Sequence, residues 1–230
     1  KISPIFLLLI VVFSAVILIS GGKTISKIRS VMGTYDDKPT VIIDPGHGGF
    51  DGGAVGVNNI VEKNINLSIS QKLADILKVN GFNVIMTREE DISLEDSGLK
   101  TVRERKKSDM KKRLDIIKEN PNAIFVSIHQ NKFEKQSPKD TQVFYSKNNI
   151  GSEQLASKIQ DNFINILQPD NKRAIKQSGK ELYLLHNAEI PAVLVECGFL
   201  SNYEDALKLL NSDYQDHVDF VIYKSISEFI

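Results

Sequence analysis

The strongest constraint on the fold of this 230-residue chain is a repeated pairing of short β-branched runs with stretches of helical periodicity. Val41-Ile42-Ile43 stops at Asp44-Pro45-Gly46, the pattern of a strand feeding a tight loop. Ile65, Ile69, Leu73, Ile76 and Leu77 then keep helical spacing, and Gly81 supplies the stop. Residues 83–86 read as the next strand. Leu114, Ile116 and Ile117 close a highly charged helix that begins near Thr101. Further strands are predicted over 124–128, 142–145, 182–185 and 192–195. Leu155, Ile159, Phe163 and Ile166 mark another helix, and two more are predicted over about 203–210 and 214–229. Strands alternating with helices at this spacing imply a single layered α/β domain, its mainly parallel sheet flanked by helices. We assign it to residues 39–230.

Ahead of that domain, residues 2–22 carry no charge. As a helix they span roughly 30 Å, the thickness of a bilayer core. The run has no polar face, which argues against a buried core helix. A signal peptide or membrane anchor is therefore expected over residues 1–22, with a polar linker over 23–38. Ser20-Gly21-Gly22 offers a small-x-small cleavage site, whereas the length of the apolar run suits retention. Lys23, Lys27 and Arg29 follow the run and only Lys1 precedes it, which is the reverse of the positive-inside pattern for an exported domain.

Lys plus Arg equals Asp plus Glu at 29 each, which removes the basic footprint of a nucleic-acid binder. The single cysteine, Cys197, has no internal disulfide partner.

Chemistry concentrates where strands end. Of the four histidines, His47 follows the first strand and His129 the 124–128 strand, and open α/β sheets place their sites at the carboxyl ends of strands. Glu62 opens the helix after the glycine-rich loop, and Glu196 ends the 192–195 strand. Two histidines and a glutamate leave one open position, a recurrent catalytic zinc shell. Each of the three also has a plain structural alternative: a histidine after a strand is commonly a hydrogen-bonded surface residue, and a helix-opening glutamate answers the helix dipole. Glu196 is the sharper signal, because an acid set between Val195 and Cys197 in an apolar run needs a partner or a task. Desolvation there raises a carboxyl pKa towards the range useful for proton transfer.

Gly46, Gly48, Gly49, Gly52, Gly53 and Gly56 crowd the loop around His47. They lack the GxGxxG order and the Lys-Ser/Thr of a phosphate loop. Tight turning and close approach around His47 is their expected use. A serine hydrolase is excluded, since no GxSxG surrounds Ser127 or any other serine.

DPGHGGFDGGAVG from Asp44, Glu62-Lys63-Asn64-Ile65-Asn66-Leu67, Thr87-Arg88, Ser127-Ile128-His129-Gln130-Asn131 and Val195-Glu196-Cys197-Gly198-Phe199-Leu200-Ser201-Asn202 occur in that order. Together they resemble the signature series of the amidase_3 family, zinc-dependent N-acetylmuramoyl-L-alanine amidases, over about residues 40–229. Residues 102–110 resemble more narrowly its spore-cortex branch, the CwlD amidases of endospore formers. The resemblance implies an exported enzyme that hydrolyses the amide between the lactyl group of N-acetylmuramic acid and L-alanine in peptidoglycan. It implies Zn2+ held by His47, Glu62 and His129, with Glu196 as the catalytic acid. It also implies membrane association through the N-terminal segment and an accessory lipoprotein as partner. Gln130-Asn131-Lys132 departs from the small residues many relatives carry there, a change expected to alter the groove and not the metal shell. Two rivals stand beside this reading, another zinc peptidoglycan hydrolase (endopeptidase or carboxypeptidase) and a catalytically silent wall-binding module. For His186 a hydrogen-bonded structural role is expected, for Cys197 that of a small buried hydrophobe. His217 is assigned no role. Residues 100–113 read as a solvated basic face, or as a contact for anionic wall polymer or a partner.

Overall fold

The computed structural model describes residues 38–230, so the expected anchor or signal (1–22) and nearly all of the expected linker (23–38) lie outside the described residues. Among those described, no helix is long and apolar enough to cross a membrane.

Pro39–Ile230 form one unit around a six-stranded sheet of order β2-β1-β3-β6-β4-β5. The strands are β1 (Thr40–Pro45), β2 (Asn83–Met86), β3 (Ile124–Asn131), β4 (Gln142–Tyr145), β5 (Lys176–Gln177) and β6 (Ala192–Phe199). The helices are α1 (Glu62–Val79), α2 (Val102–Glu119), α3 (Ile150–Asn162), α4 (Tyr183–Asn187), α5 (Tyr203–Leu210) and α6 (Ser212–Phe229). β2, β1, β3 and β6 run parallel, and β4 pairs antiparallel with β6. The mainly parallel α/β layering is thus as expected.

Side chains on a strand alternate between faces, and the alternation assigns each strand residue a job. Val41, Ile43, Val126, Ile128, Val193 and Val195 point into a large core shared with Ile69, Leu73, Leu155 and Val218 of α1, α3 and α6. Ile42, Phe125, Ala192 and Leu194 point the other way, against Leu114 and Ile117 of α2 and Leu184 and Leu185 of α4. Burying each of these Val, Leu, Ile and Phe side chains contributes about 1.5–3 kcal/mol. Asp44, Ser127, His129 and Glu196 share the parity of the second face. Asp44, His129 and Glu196 lie in the carboxyl-end half of their strands, and Ser127 at the middle of its own.

Three expectations change. Residues 182–185 form a helix and not a strand: His186 N–H bonds Leu182 O, and Ala188 N–H bonds Leu184 O. No sheet edge was open to them beside β6, whose neighbours are β3 and β4. A short apolar run does not declare its period, and tertiary placement decided it. β6 does not end before Glu196 but continues to Phe199, and β3 runs on to Asn131, so Glu196 and His129 sit within strands. The short β5 lay outside the periodicity reading, and the end of the helix marked by Phe163 and Ile166 is a π-helical turn over Phe163–Leu167.

The charged helix does not present a solvated face throughout. Thr101 and Glu104 form a reciprocal capping box at its start. Arg105 bonds Glu95 and lies 3.8 Å over the Phe50 ring, Lys112 pairs with Asp96, and Asp109 and Arg113 are buried.

Candidate metal and catalytic site

The polypeptide brings together all four residues singled out above. His47 lies in the loop after β1 with φ 62°, a conformation uncommon for a residue with a side chain. Its Nδ1 is 2.9 Å from Asp51 Oδ2, and its Nε2 is 3.3 Å from Glu62 Oε2. His129 Nδ1 is 2.9 Å from Glu62 Oε1. One ligand-type atom from each of His47, Glu62 and His129 lies within 4.8 Å of the others, a group that could hold a metal ion.

The donor set fits zinc. Two imidazole nitrogens and a carboxylate match its borderline softness and leave a fourth position open. The electrostatics point the same way. Burial pulls His47 down, but its hydrogen bonds to Asp51 and Glu62 outweigh this and raise it to about 9. Burial pushes Glu62 up, and the two histidines more than reverse this, holding it far below the usual carboxylate range. These three side chains therefore converge on a place where positive charge is stabilised.

Two glycines are required by that convergence. A Cβ on Gly46 would stand 2.2 Å from His129 Nε2, and one on Gly53 (φ 69°) 2.5 Å from Glu62 Oε2 and 2.6 Å from His47 Cδ2. Close packing of the rings against bare backbone is what the glycine-rich loop supplies.

Glu62 is further pinned by Ala54 N–H (2.8 Å), Gln130 N–H (3.1 Å) and Asn66 Nδ2 (3.2 Å). Gln130 also donates to Asn66 Oδ1. Gln130 thus supports Glu62, whereas Asn131 and Lys132 of the same segment lie at partly and fully exposed positions.

Glu196 is the register neighbour of His129 across the β3–β6 pair. Its Oε2 is buried and has no hydrogen-bond partner among the described residues. Burial pushes its carboxyl up to about 7, aided by the Glu62 carboxylate and opposed by the histidines. A carboxyl in that range exchanges protons near neutrality.

Two arginines hold the His47 loop, and residue patterning alone assigned them no role. Arg88 donates to the carbonyls of Pro45 (3.0 Å), Gly46 (3.1 Å), His47 (2.7 Å), Lys63 (3.0 Å) and Glu90 (2.9 Å). Arg113 pairs with Asp44 (2.6 Å) and Asp109 (2.8 Å) and donates to Pro45 O (3.0 Å) and His47 O (2.7 Å). Thr87 and Ser127 hydroxyls complete the shell of Asp44. Both guanidinium groups meet at His47 O, which accounts for the retention of its left-handed backbone. The i,i+4 pair Asp109–Arg113 beside Leu114 was the available sequence signal.

Arg113 is fully buried. Replacing it with Met leaves Asp44 and Asp109 as unpaired buried carboxylates, with an expected loss of about 3–5 kcal/mol. Urea unfolding of Arg113→Met checks this, and a midpoint equal to that of the parent protein would refute the clamp.

The remaining candidates stay apart. His186 lies in α4 outside the metal-type group, and its carbonyl accepts from Asn148. His217 Nδ1 is bonded to Asp213 O on α6. Cys197 is fully buried, which pushes its thiol far up and leaves it inert.

Comparison with known proteins identifies the family of the chain. The Amidase_3 family, described as N-acetylmuramoyl-L-alanine amidase, matches residues 41–228. The germination-specific N-acetylmuramoyl-L-alanine amidase of Bacillus subtilis (strain 168) is 38% identical over 186 residues, covering 81% of this chain and 77% of that protein. The CwlD amidase from Clostridioides difficile, solved in complex with the GerS lipoprotein, aligns with TM-score 0.81 and 38% identity over 84% of this chain and 98% of that one. AmiC2 of Nostoc punctiforme aligns with TM-score 0.70 and 27% identity, covering 83% and 96%.

Proposed function

Because the chain belongs to the Amidase_3 family of N-acetylmuramoyl-L-alanine amidases, we propose that His47, Glu62 and His129 hold one zinc ion and that Glu196 moves the protons of amide hydrolysis. The observation that carries this reading is Glu196 Oε2, without a hydrogen-bond partner among the described residues, on the strand position paired with His129 of the His/Glu/His group.

Bound there, zinc would lower the pKa of water towards about 7 and polarise the substrate carbonyl. Glu196 accepts a proton from the attacking water and delivers it to the departing L-alanine nitrogen. Asp51 fixes the His47 ring by accepting from Nδ1, which leaves Nε2 turned towards Glu62. Ala54, Asn66 and Gln130 hold Glu62, and Arg88 and Arg113 hold the loop that presents His47. Such positioning fixes the reacting groups before the substrate arrives.

The substrate is peptidoglycan, cut between the lactyl group of N-acetylmuramic acid and L-alanine. The named relatives favour the spore cortex as its setting. We further propose that the enzyme acts outside the cytoplasm, with residues 1–22 as signal or anchor, residues 23–38 as a linker and residues 39–230 as the catalytic domain. A lipoprotein partner is proposed by likeness to the complex solved for the Clostridioides difficile amidase.

Digestion of purified peptidoglycan by the zinc-loaded protein lacking residues 1–22, read by mass spectrometry, tests the reading. Whole stem peptides with a free L-alanine amine are expected, together with sugar strands bearing unsubstituted lactyl groups. Cuts within or between stems would replace the amidase reading by a peptidase one. A full rate without membrane or second protein would overturn the partner reading alone.

A further inference from the structure

A cavity of about 260 Å³ lies on the α2/α4 face of the sheet, next to the metal-type group. Phe125 and Leu194 line it from the strands, Met110 from α2, Leu182 and Leu184 from the α4 region, and Phe50 from the glycine-rich loop. His47 and His129 border it, whereas Glu196, the neighbour of His129 on the next strand, does not.

The buried and partly buried carboxylates around this space are already engaged with the protein, and Glu181 and Tyr183, the other polar side chains from the α4 side, lie at exposed positions. Asp44 is taken by Arg113, Thr87 and Ser127, and Asp109 by Arg113 and Leu94 N–H. Asp51 is taken by His47 and Lys106. An occupant therefore meets carbon and finds few free donors or acceptors. Hydroxyl groups placed there would lose their water partners without compensation, whereas methyl groups would lose nothing. The volume lies below the usual ligand-pocket range of roughly 300–1,000 Å³, so it accepts substituents of one residue and not a glycan strand.

Orientation follows from the proton transfer set out above, and the inference rests on that reading. Glu196 delivers its proton to the departing amine and so marks the amine side of the scissile bond. The cavity, bordered by His129 and not by Glu196, faces the acyl side. The acyl half of a muramoyl-alanine bond carries two methyl groups near the carbonyl, one on the lactyl carbon and one on the N-acetyl group. We infer that this cavity receives the methyl-bearing acyl half of the substrate, and that Met110 and Leu182 are specificity-determining residues for the muramoyl group.

Met110→Trp and Leu182→Trp would fill the space from two elements, each at a half-buried position, so that one variant serves if the other fails to fold. Calorimetric binding of N-acetylmuramic acid to the zinc-loaded full chain is the direct readout. It is compared with two analogues that keep the carboxylate, the N-formyl compound and the carboxymethyl ether, each lacking one methyl. At least one analogue is expected to bind the parent protein about fourfold more weakly. Both filling substitutions are expected to weaken N-acetylmuramic acid about tenfold at unchanged zinc content, and to raise KM for N-acetylmuramoyl-L-alanyl-D-isoglutamine by a similar factor. Equal binding by parent and filled variants, or indifference to both methyl groups, would overturn the inference while amide cleavage continued. A protein that showed the binding pattern but cut no amide would leave the cavity assignment standing and sink the amidase reading.

Discussion

Glu196→Gln is expected to lower amide hydrolysis by about 10²–10⁴-fold, the usual worth of general acid–base help, with fold and zinc content intact. The exchange is nearly isosteric and keeps the strand register with His129. It removes the group that can accept a proton and leaves the His47, Glu62 and His129 set untouched. Because Glu196 Oε2 has no hydrogen-bond partner among the described residues, an amide there breaks no existing contact at that atom. Turnover at saturating substrate, with metal content measured on the same sample, separates the outcomes. Loss of zinc would move Glu196 into the metal shell, and unimpaired turnover would end its catalytic assignment.

The double variant His47→Ala with His129→Ala is expected to lose its zinc and reduce hydrolysis to background. Catalytic zinc sites rest on three protein ligands, and the double change leaves Glu62 alone. Glu62 keeps its bonds to Ala54, Asn66 and Gln130, and the two side chains removed are only partly buried. The fold is therefore expected to survive, which circular dichroism checks beside elemental analysis. Full retention of zinc by the double variant would show that the metal binds elsewhere.

Legibility in the sequence followed physical range. α1 was readable because Ile65, Ile69, Leu73 and Leu77 repeat on one face and are fully or nearly fully buried against the sheet. β1 and β3 were readable because both faces are covered, which leaves short continuous apolar runs. The 182–185 run failed for the complementary reason. A few apolar residues suit either period, and only the occupied edges of β6 excluded a strand. In the site, His47, Glu62, His129 and Glu196 were legible because polar groups beside or within apolar strand and helix runs interrupt the pattern. Arg113 was not, because in a helix dense with Lys and Arg its i,i+4 pairing with Asp109 was the one local mark, and such pairs are common on solvated helices.

By itself, the sequence determined most of the elements, their alternation and the residue types able to hold a metal and move a proton. Those properties depend on neighbours a few positions apart, through periodicity, turn chemistry and side-chain identity. Only the tertiary structure decided that His129 and Glu196 stand side by side across β3 and β6, that Arg88 and Arg113 meet on the His47 carbonyl, and that a small cavity opens between α2 and α4. Each of these is a contact between residues tens of positions apart. Strand order and helix packing, set by burial of the two faces of the sheet, bring them within bonding distance.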